Sequence, residues 1–246
     1  MRNLKKSCFL AGTYLLFMLI LMKASAYAES PDFVCMQGKS IEKKEAQVLL
    51  EKVQSRYNQV NNLKADFTQI SFLEALETSE ISSGKLYFSK PGRMKWEYQS
   101  PEKQIFLLID ETLWFYQELD KQLVIDHFSK FLISDLPVAF VLGIGDLSSS
   151  FDIEEVCLNS SSEDFLFKLN PKSLKIGTLE QDQRLNKFEL VANKNTFLPA
   201  AARIYDIASN VNTFFLEDMN VNSDLDASTF SSSFPSGIDI DDRRKG

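Results

Sequence analysis

A chain of 246 residues, 44% hydrophobic and 25% charged, can build one sizeable core or two small ones and lies in the ordinary globular range. Its formal net charge of −7 turns it away from nucleic acid and from anionic membrane surfaces. Phenylalanine is abundant, with 20 copies against 9 glycines and 7 prolines, so apolar surface is its richest resource. Low complexity is confined to serine tracts at 148–150, 160–162 and 231–233.

The N-terminus reads as a targeting segment. Arg2, Lys5 and Lys6 form a positive start, and Phe9 to Met22 is an apolar run of about 14 residues, shorter than the ~20 of a membrane span. Ala26-Tyr27-Ala28 places cleavage after Ala28, with Ala26 as the second choice and an uncleaved anchor as the alternative. Loss of residues 1–28 removes Arg2, Lys5, Lys6, Lys23 and no acid, so the net charge of −7 becomes −11. Cys8 leaves with the signal. Cys35 and Cys157 remain, as a disulfide or as two free thiols in an oxidising compartment.

Residues 29–39 read as an irregular leader, and 40–246 as a single domain. From Ser40, a candidate N-cap, the apolar residues Ile41, Val48, Leu49, Val53, Tyr57 and Val60 recur near helical spacing, and Asn61-Asn62 stops the helix. Leu63, Ala65 and Phe67 then alternate with polar residues as a strand. A Glu/Ser-rich hairpin connection follows. Strands are predicted over 85–89, 94–98, 104–109, 113–118 and 123–125, with turns at Pro91-Gly92 and Asp110-Glu111. The apolar stretch from Phe131 to Leu142, broken by Pro137, predicts two short helices. Strands resume over 151–158, 165–169, 185–191, 200–207 and 212–219, and the tail adds a turn and an edge strand. Successive strands with short connections imply an antiparallel meander. The expectation is mainly β with helices: an unclosed antiparallel β-barrel, or curved half-barrel, with an α-helical lid over its concave face.

Chemistry-bearing constellations are missing. His127 is the single histidine, and there is no nucleophile elbow, phosphate loop or Cys/His metal spacing. The adjacent acids Glu154-Glu155 and Asp241-Asp242 should diverge to opposite faces of extended chain. Neither a catalytic group, a cofactor nor a metal is expected. The distinctive stretch is Gly84 to Tyr116. Met94, Trp96 and Tyr98 share one strand face, Leu86 and Phe88 share another, and Ile105 to Ile109 is apolar on both faces. A sheet greasy on both faces needs two covers, and the predicted helices supply only one, which leaves room for a ligand.

Several features in order resemble the LolA family of periplasmic lipoprotein carriers. These are Leu63-Lys-Ala-Asp-Phe-Thr-Gln, then Gly84-Lys-Leu-Tyr-Phe-Ser-Lys-Pro-Gly-Arg-Met-Lys-Trp-Glu-Tyr, then Leu113-Trp-Phe-Tyr, and the tail Pro235-Ser-Gly-Ile-Asp-Ile-Asp-Asp. The resemblance implies a monomeric half-barrel in the periplasm whose cavity holds the acyl chains of acylated lipoproteins. Cargo would come from an inner-membrane ABC transporter of the LolCDE type and go to an outer-membrane receptor of the LolB type. It implies a cavity wall of Phe88, Met94, Trp96, Phe106, Leu108 and Phe140. Lys90 takes the place of the family's lid-holding arginine, with Arg93 as a second cation nearby. Lysine lacks the planar fork of arginine, so the latch is expected to be weaker. Two other readings are a periplasmic lipid-sensing or regulatory half-barrel module and an exported hydrolase.

Overall fold

The computed structural model describes residues 33–127, 146–172, 175–176, 179–180 and 185–245. One sheet of 13 strands runs through them in the order β1-β8-β9-β12-β13-β14-β2-β3-β4-β5-β6-β7-β15. Its first half in sequence is a meander: β2 (Asn62–Leu73), β3 (Thr78–Ser89), β4 (Arg93–Ser100), β5 (Gln104–Ile109), β6 (Thr112–Gln117) and β7 (Gln122–His127). The second half comprises β8 (Phe151–Asn159), β9 (Phe165–Pro171), β12 (Leu185–Ala192), β13 (Pro199–Asp206) and β14 (Val211–Val221). Strand β14 pairs antiparallel with β2 and joins the halves. The edges are β1 (Cys35–Ser40) and β15 (Asp239–Asp242), and among the described residues they do not pair with each other. The sheet is therefore curved and unclosed. A separate small ladder joins β10 (Lys175–Ile176) and β11 (Leu179–Glu180).

Helix α1, Lys43–Gln59, lies on one face of this sheet. Its buried residues Ala46, Leu49, Leu50, Val53 and Tyr57 follow three-four spacing, and they share a core cluster with side chains from both halves of the sheet. Each large aliphatic fully buried there contributes about 1.5–3 kcal/mol. Val48, expected on the buried stripe, is 46% exposed because it points away from Leu50. The helix also begins later than Ser40. Ser40 is taken into β1 opposite Cys157, and its hydroxyl donates to Glu155 at 3.4 Å. Glu42 occupies the N-cap without a side-chain cap bond.

The leader also departs from the irregular reading. Cys35–Ser40 pairs with β8, and Ser160 N–H donates to the Val34 carbonyl at 2.9 Å. The Cys35 and Cys157 sulfurs are bonded, with Cα atoms 5.5 Å apart. Phe33 lies beneath the Arg203 guanidinium, 4.2 Å from ring centre to Cζ. The hairpin of β2 and β3 is longer than expected, with two strands of 12 residues turning at Glu74–Leu76 and a left-handed Glu77. Residues 78–81 are exposed throughout, so no alternation marks them in the sequence. The tail forms the expected turn and edge strand, but β15 runs parallel to β7. The predicted helix pair around Pro137 and the signal segment lie outside the described residues.

Candidate functional site

Strand register settles which side chains share the face beneath α1. Phe88, Met94, Leu108 and Leu113 stand opposite one another in successive strands, and Leu86, Trp96, Phe106 and Phe115 form the adjacent row. Both rows lie on the face that α1 covers, because Leu86, Phe88, Met94, Trp96 and Leu108 share the core cluster with Leu50 and Val53. Five of the expected wall residues are thus brought together. Phe140, the sixth, lies outside the described residues.

These residues do not have equal access. Phe88, Met94, Trp96 and Leu108 are 6%, 1%, 3% and 3% exposed, while Phe106 and its neighbour Phe115 are half-buried. The rings of Phe214, Trp96, Phe67, Tyr98, Phe106 and Phe115 form a continuous band across β14, β2, β4, β5 and β6. Successive centroids lie 5.7, 4.6, 5.0, 6.1 and 4.2 Å apart, and the Phe106–Phe115 pair is stacked. Sequence reasoning missed Phe67, Phe115 and Phe214 as members of this band. Phe115 was recoverable from register, since it stands opposite Phe106 across a two-residue turn.

Gly84 makes part of this packing possible. It opposes Phe67 and Tyr98 at a register shift in β3, and a Cβ there would collide with the Glu97 carbonyl oxygen. Trp96 brings a cost with it. Its indole nitrogen is buried with no hydrogen-bond partner among the described residues, as is the Tyr57 hydroxyl. Burial pushes the Tyr57 phenol far above its ordinary pKa. Burial does the same for Tyr98. Tyr98 is nonetheless anchored, donating to Gln69 Oε1 at 2.6 Å.

Lys90 follows β3 in the turn toward β4 and reaches the C-terminal end of α1. Its ammonium donates to the carbonyls of Asn58 at 2.9 Å and Tyr57 at 3.4 Å. Asn222 donates to the Gln59 carbonyl at 3.0 Å. The Asn58 and Gln59 carbonyls at the open end of the helix are thereby satisfied, the Tyr57 carbonyl also accepts the Val60 N–H at 3.1 Å, and a cation sits at the negative end of the helix dipole. Arg93 takes no part. It lies on the opposite face of β4, with its guanidinium 5.5 Å from the Phe230 ring centre.

That contact and the Tyr116–Phe234 ring pair at 5.4 Å show the C-terminal segment covering the outer face of the meander. The two-sided greasiness of Ile105–Ile109 therefore does not require a ligand, because the chain covers that outer face itself. A case for a ligand rests instead on the half-buried rings of the inner face. The Glu154-Glu155 pair also behaves differently from expectation. A bulge between Ile153 and Glu155 brings Glu154 and Glu155 to lysines of the same face, Lys187 at 3.7 Å and Lys168 at 2.9 Å. Asp241 and Asp242 pair with Arg243 and Arg244. No cluster of metal-ligating side chains occurs among the described residues, and no helix among them is long and apolar enough to cross a membrane.

The fold and this face define a class: an unclosed half-barrel with an aromatic interior and a helix fastened across it. The chain belongs to the LolA family, described as outer membrane lipoprotein carrier protein LolA, whose profile matches residues 58–233. An outer-membrane lipoprotein carrier protein of Glaesserella parasuis is 28% identical over 200 residues, covering 81% of this chain and 88% of the relative. One from Legionella pneumophila strain Lens is 24% identical over 196 residues, covering 79% and 90%. The solved structure of an uncharacterized conserved protein from Thermus thermophilus shares the fold at a TM-score of 0.50 and 17% identity, over 81% of this chain and 99% of that one.

Proposed function

We propose that this chain is a non-enzymatic carrier that shields the acyl chains of lipoproteins on their way through the periplasm. It takes cargo from an inner-membrane transporter of the LolCDE type and gives it up to an outer-membrane receptor of the LolB type. The observation that carries this reading is the aromatic band that ends in the half-buried rings of Phe106 and Phe115. Acyl chains gain about 0.8 kcal/mol per CH₂ on leaving water, so a lipid anchor needs cover over its whole length. Aromatic faces give that cover without fixed shape, which suits release as well as capture.

Phe88, Met94, Trp96 and Leu108 are the supporting floor in this reading, and Phe106 and Phe115 are the surface that meets cargo. Lys90 serves as the latch by holding the C-terminal end of α1 on the sheet. The experiment is incubation of purified mature protein with spheroplasts or proteoliposomes loaded with a triacylated lipoprotein. A soluble one-to-one complex is the expected result. Cargo that stays entirely in the membrane fraction, under conditions where the transporter is active, contradicts the reading.

A further inference from the structure

The inner face changes character toward the end of the strands farthest from Lys90. One pleat beyond Phe67, Trp96 and Phe106 stand Gln69, Tyr98 and Gln104 on the same face. A cavity of about 390 Å³ opens there, and Ser82, Tyr98, Gln104 and Phe106 are among the residues that line it. Phe106 belongs both to this cavity and to the aromatic band. The surface assigned above to acyl chains therefore ends at a polar margin.

The hydrogen bonds of that margin engage its acceptors and leave donors over. Tyr98 donates to Gln69 Oε1 at 2.6 Å. The Gln69 amide donates to the Ser71 hydroxyl oxygen at 2.8 Å and to Asn212 Oδ1 at 3.1 Å, and Ser71 donates to the same Asn212 oxygen at 2.7 Å. Two half-buried side chains on the cavity wall stand outside this network. The Ser82 hydroxyl, opposite Gln69, and the Gln104 amide, opposite Tyr98, make no hydrogen bond among the described residues. Beside them the Trp96 indole, its ring centre 6.4 Å from that of Tyr98, holds a buried N–H with no partner among the described residues.

An acyl chain ends in a carbonyl. A carbonyl oxygen taken out of water without a donor is costly, so a surface that takes up the chain needs donors where that oxygen comes to rest. Ser82 and Gln104 supply a hydroxyl and an amide next to the last rings of the band. Gln104 also carries an acceptor, so it can answer an amide link on both its sides. Glu80 and Glu102, exposed at the mouth of the same cavity, would repel a phosphate or an ionised fatty acid. The set fits a neutral ester or amide.

We propose that Ser82 and Gln104 hold the ester and amide carbonyls through which acyl chains join a lipoprotein's N-terminal cysteine. The inference rests on the acyl-carrier reading and gives the cargo a direction, with the carbonyl ends of its chains at the turn between β4 and β5. The test is a dye-displacement competition on the purified protein with two triacylated lipopeptides of neutral sequence. One has its natural glyceryl esters; in the other both esters are replaced by ethers. The ether form is the more apolar, so a face that gives only apolar cover binds it more tightly.

Donors at the carbonyls reverse that order, and the ester form should bind about tenfold better, the scale of one or two ordinary hydrogen bonds. In Ser82→Ala/Gln104→Met the ester preference should vanish while the affinity for the ether form holds, which also reports that the variant is folded. Gln104→Glu, of the same size but without the amide donor, should weaken the preference on its own. Equal binding, or tighter binding of the ether, by the unaltered protein overturns the carbonyl site and leaves the acyl-carrier reading standing. An ester preference that survives both variants overturns the placement at Ser82 and Gln104, as does an equal loss of both probes in both variants. Failure of both probes to displace the dye from the unaltered protein overturns the acyl-carrier reading as well.

Discussion

The inner face has two parts made from the same kinds of residue, and they differ in what lies on them. Beneath α1, Leu86, Met94 and Trp96 are sealed at 0%, 1% and 3% exposure. One strand further along the same row, Phe106 and Phe115 stack on each other yet keep part of their rings accessible. An aromatic side chain on a concave sheet is therefore core or binding surface according to its cover, not its type. The sealed part should govern stability and the half-covered part should govern cargo.

That division can be broken most forcefully at Trp96. Trp96→Ala leaves a cavity beneath α1 and should cost about 3–5 kcal/mol in urea unfolding, even though it removes an unpaired N–H. A loss under about 1 kcal/mol, the scale of an ordinary surface change, would place Trp96 in the binding surface instead. Reduction of the Cys35–Cys157 bond, which spans a sequence separation of 122, should lower stability by about 2–4 kcal/mol through the freed unfolded chain. Calorimetry with and without reductant measures it, and cargo affinity should change little.

Phe106→Ala with Phe115→Ala should show the opposite pattern. Acyl-probe affinity should drop by about tenfold, while each substitution costs less stability than a fully buried phenylalanine, for which about 3–5 kcal/mol is usual. Lys90→Met should lower the melting temperature by about 2–4 °C, as expected for about 1 kcal/mol lost at the helix end. It should also increase dye access to the inner face.

The smallest effect concerns pH. The Lys168 ammonium bonded to Glu155 holds that carboxyl below its ordinary range. Its contribution is present above the unfolded glutamate pKa and is lost as pH falls through the lowered folded value. Lys168→Met should therefore flatten the acid limb of the stability profile slightly.

Much of this arrangement is legible in the amino-acid order. Period-two alternation locates the meander, and the pleat puts Met94 with Trp96 and Phe106 with Leu108 before register joins the pairs across β4 and β5. The parts that escape lack a local signal. Strand β1 is mostly exposed and is defined by pairing with β8, whose Cys157 lies 122 residues beyond Cys35. The start of α1 moves because that strand claims Ser40. Arg93 and Ile105–Ile109 mislead because the cover supplied by Phe230 and Phe234 comes from the far end of the chain. A family pattern marks the position of Lys90, whereas its acceptors, Tyr57 and Asn58, follow only from where α1 ends.

The central claim is that cargo acyl chains lie along the half-covered end of the aromatic band. The most direct measurement uses an acyl chain carrying a photoreactive diazirine, bound to the purified protein and mapped by mass spectrometry after irradiation. Adducts concentrated at Phe106, Phe115 and Tyr98 are the predicted result. Adducts concentrated on the exposed outer residues Ile81 and Ile207, with the inner rings unlabelled, would contradict the account.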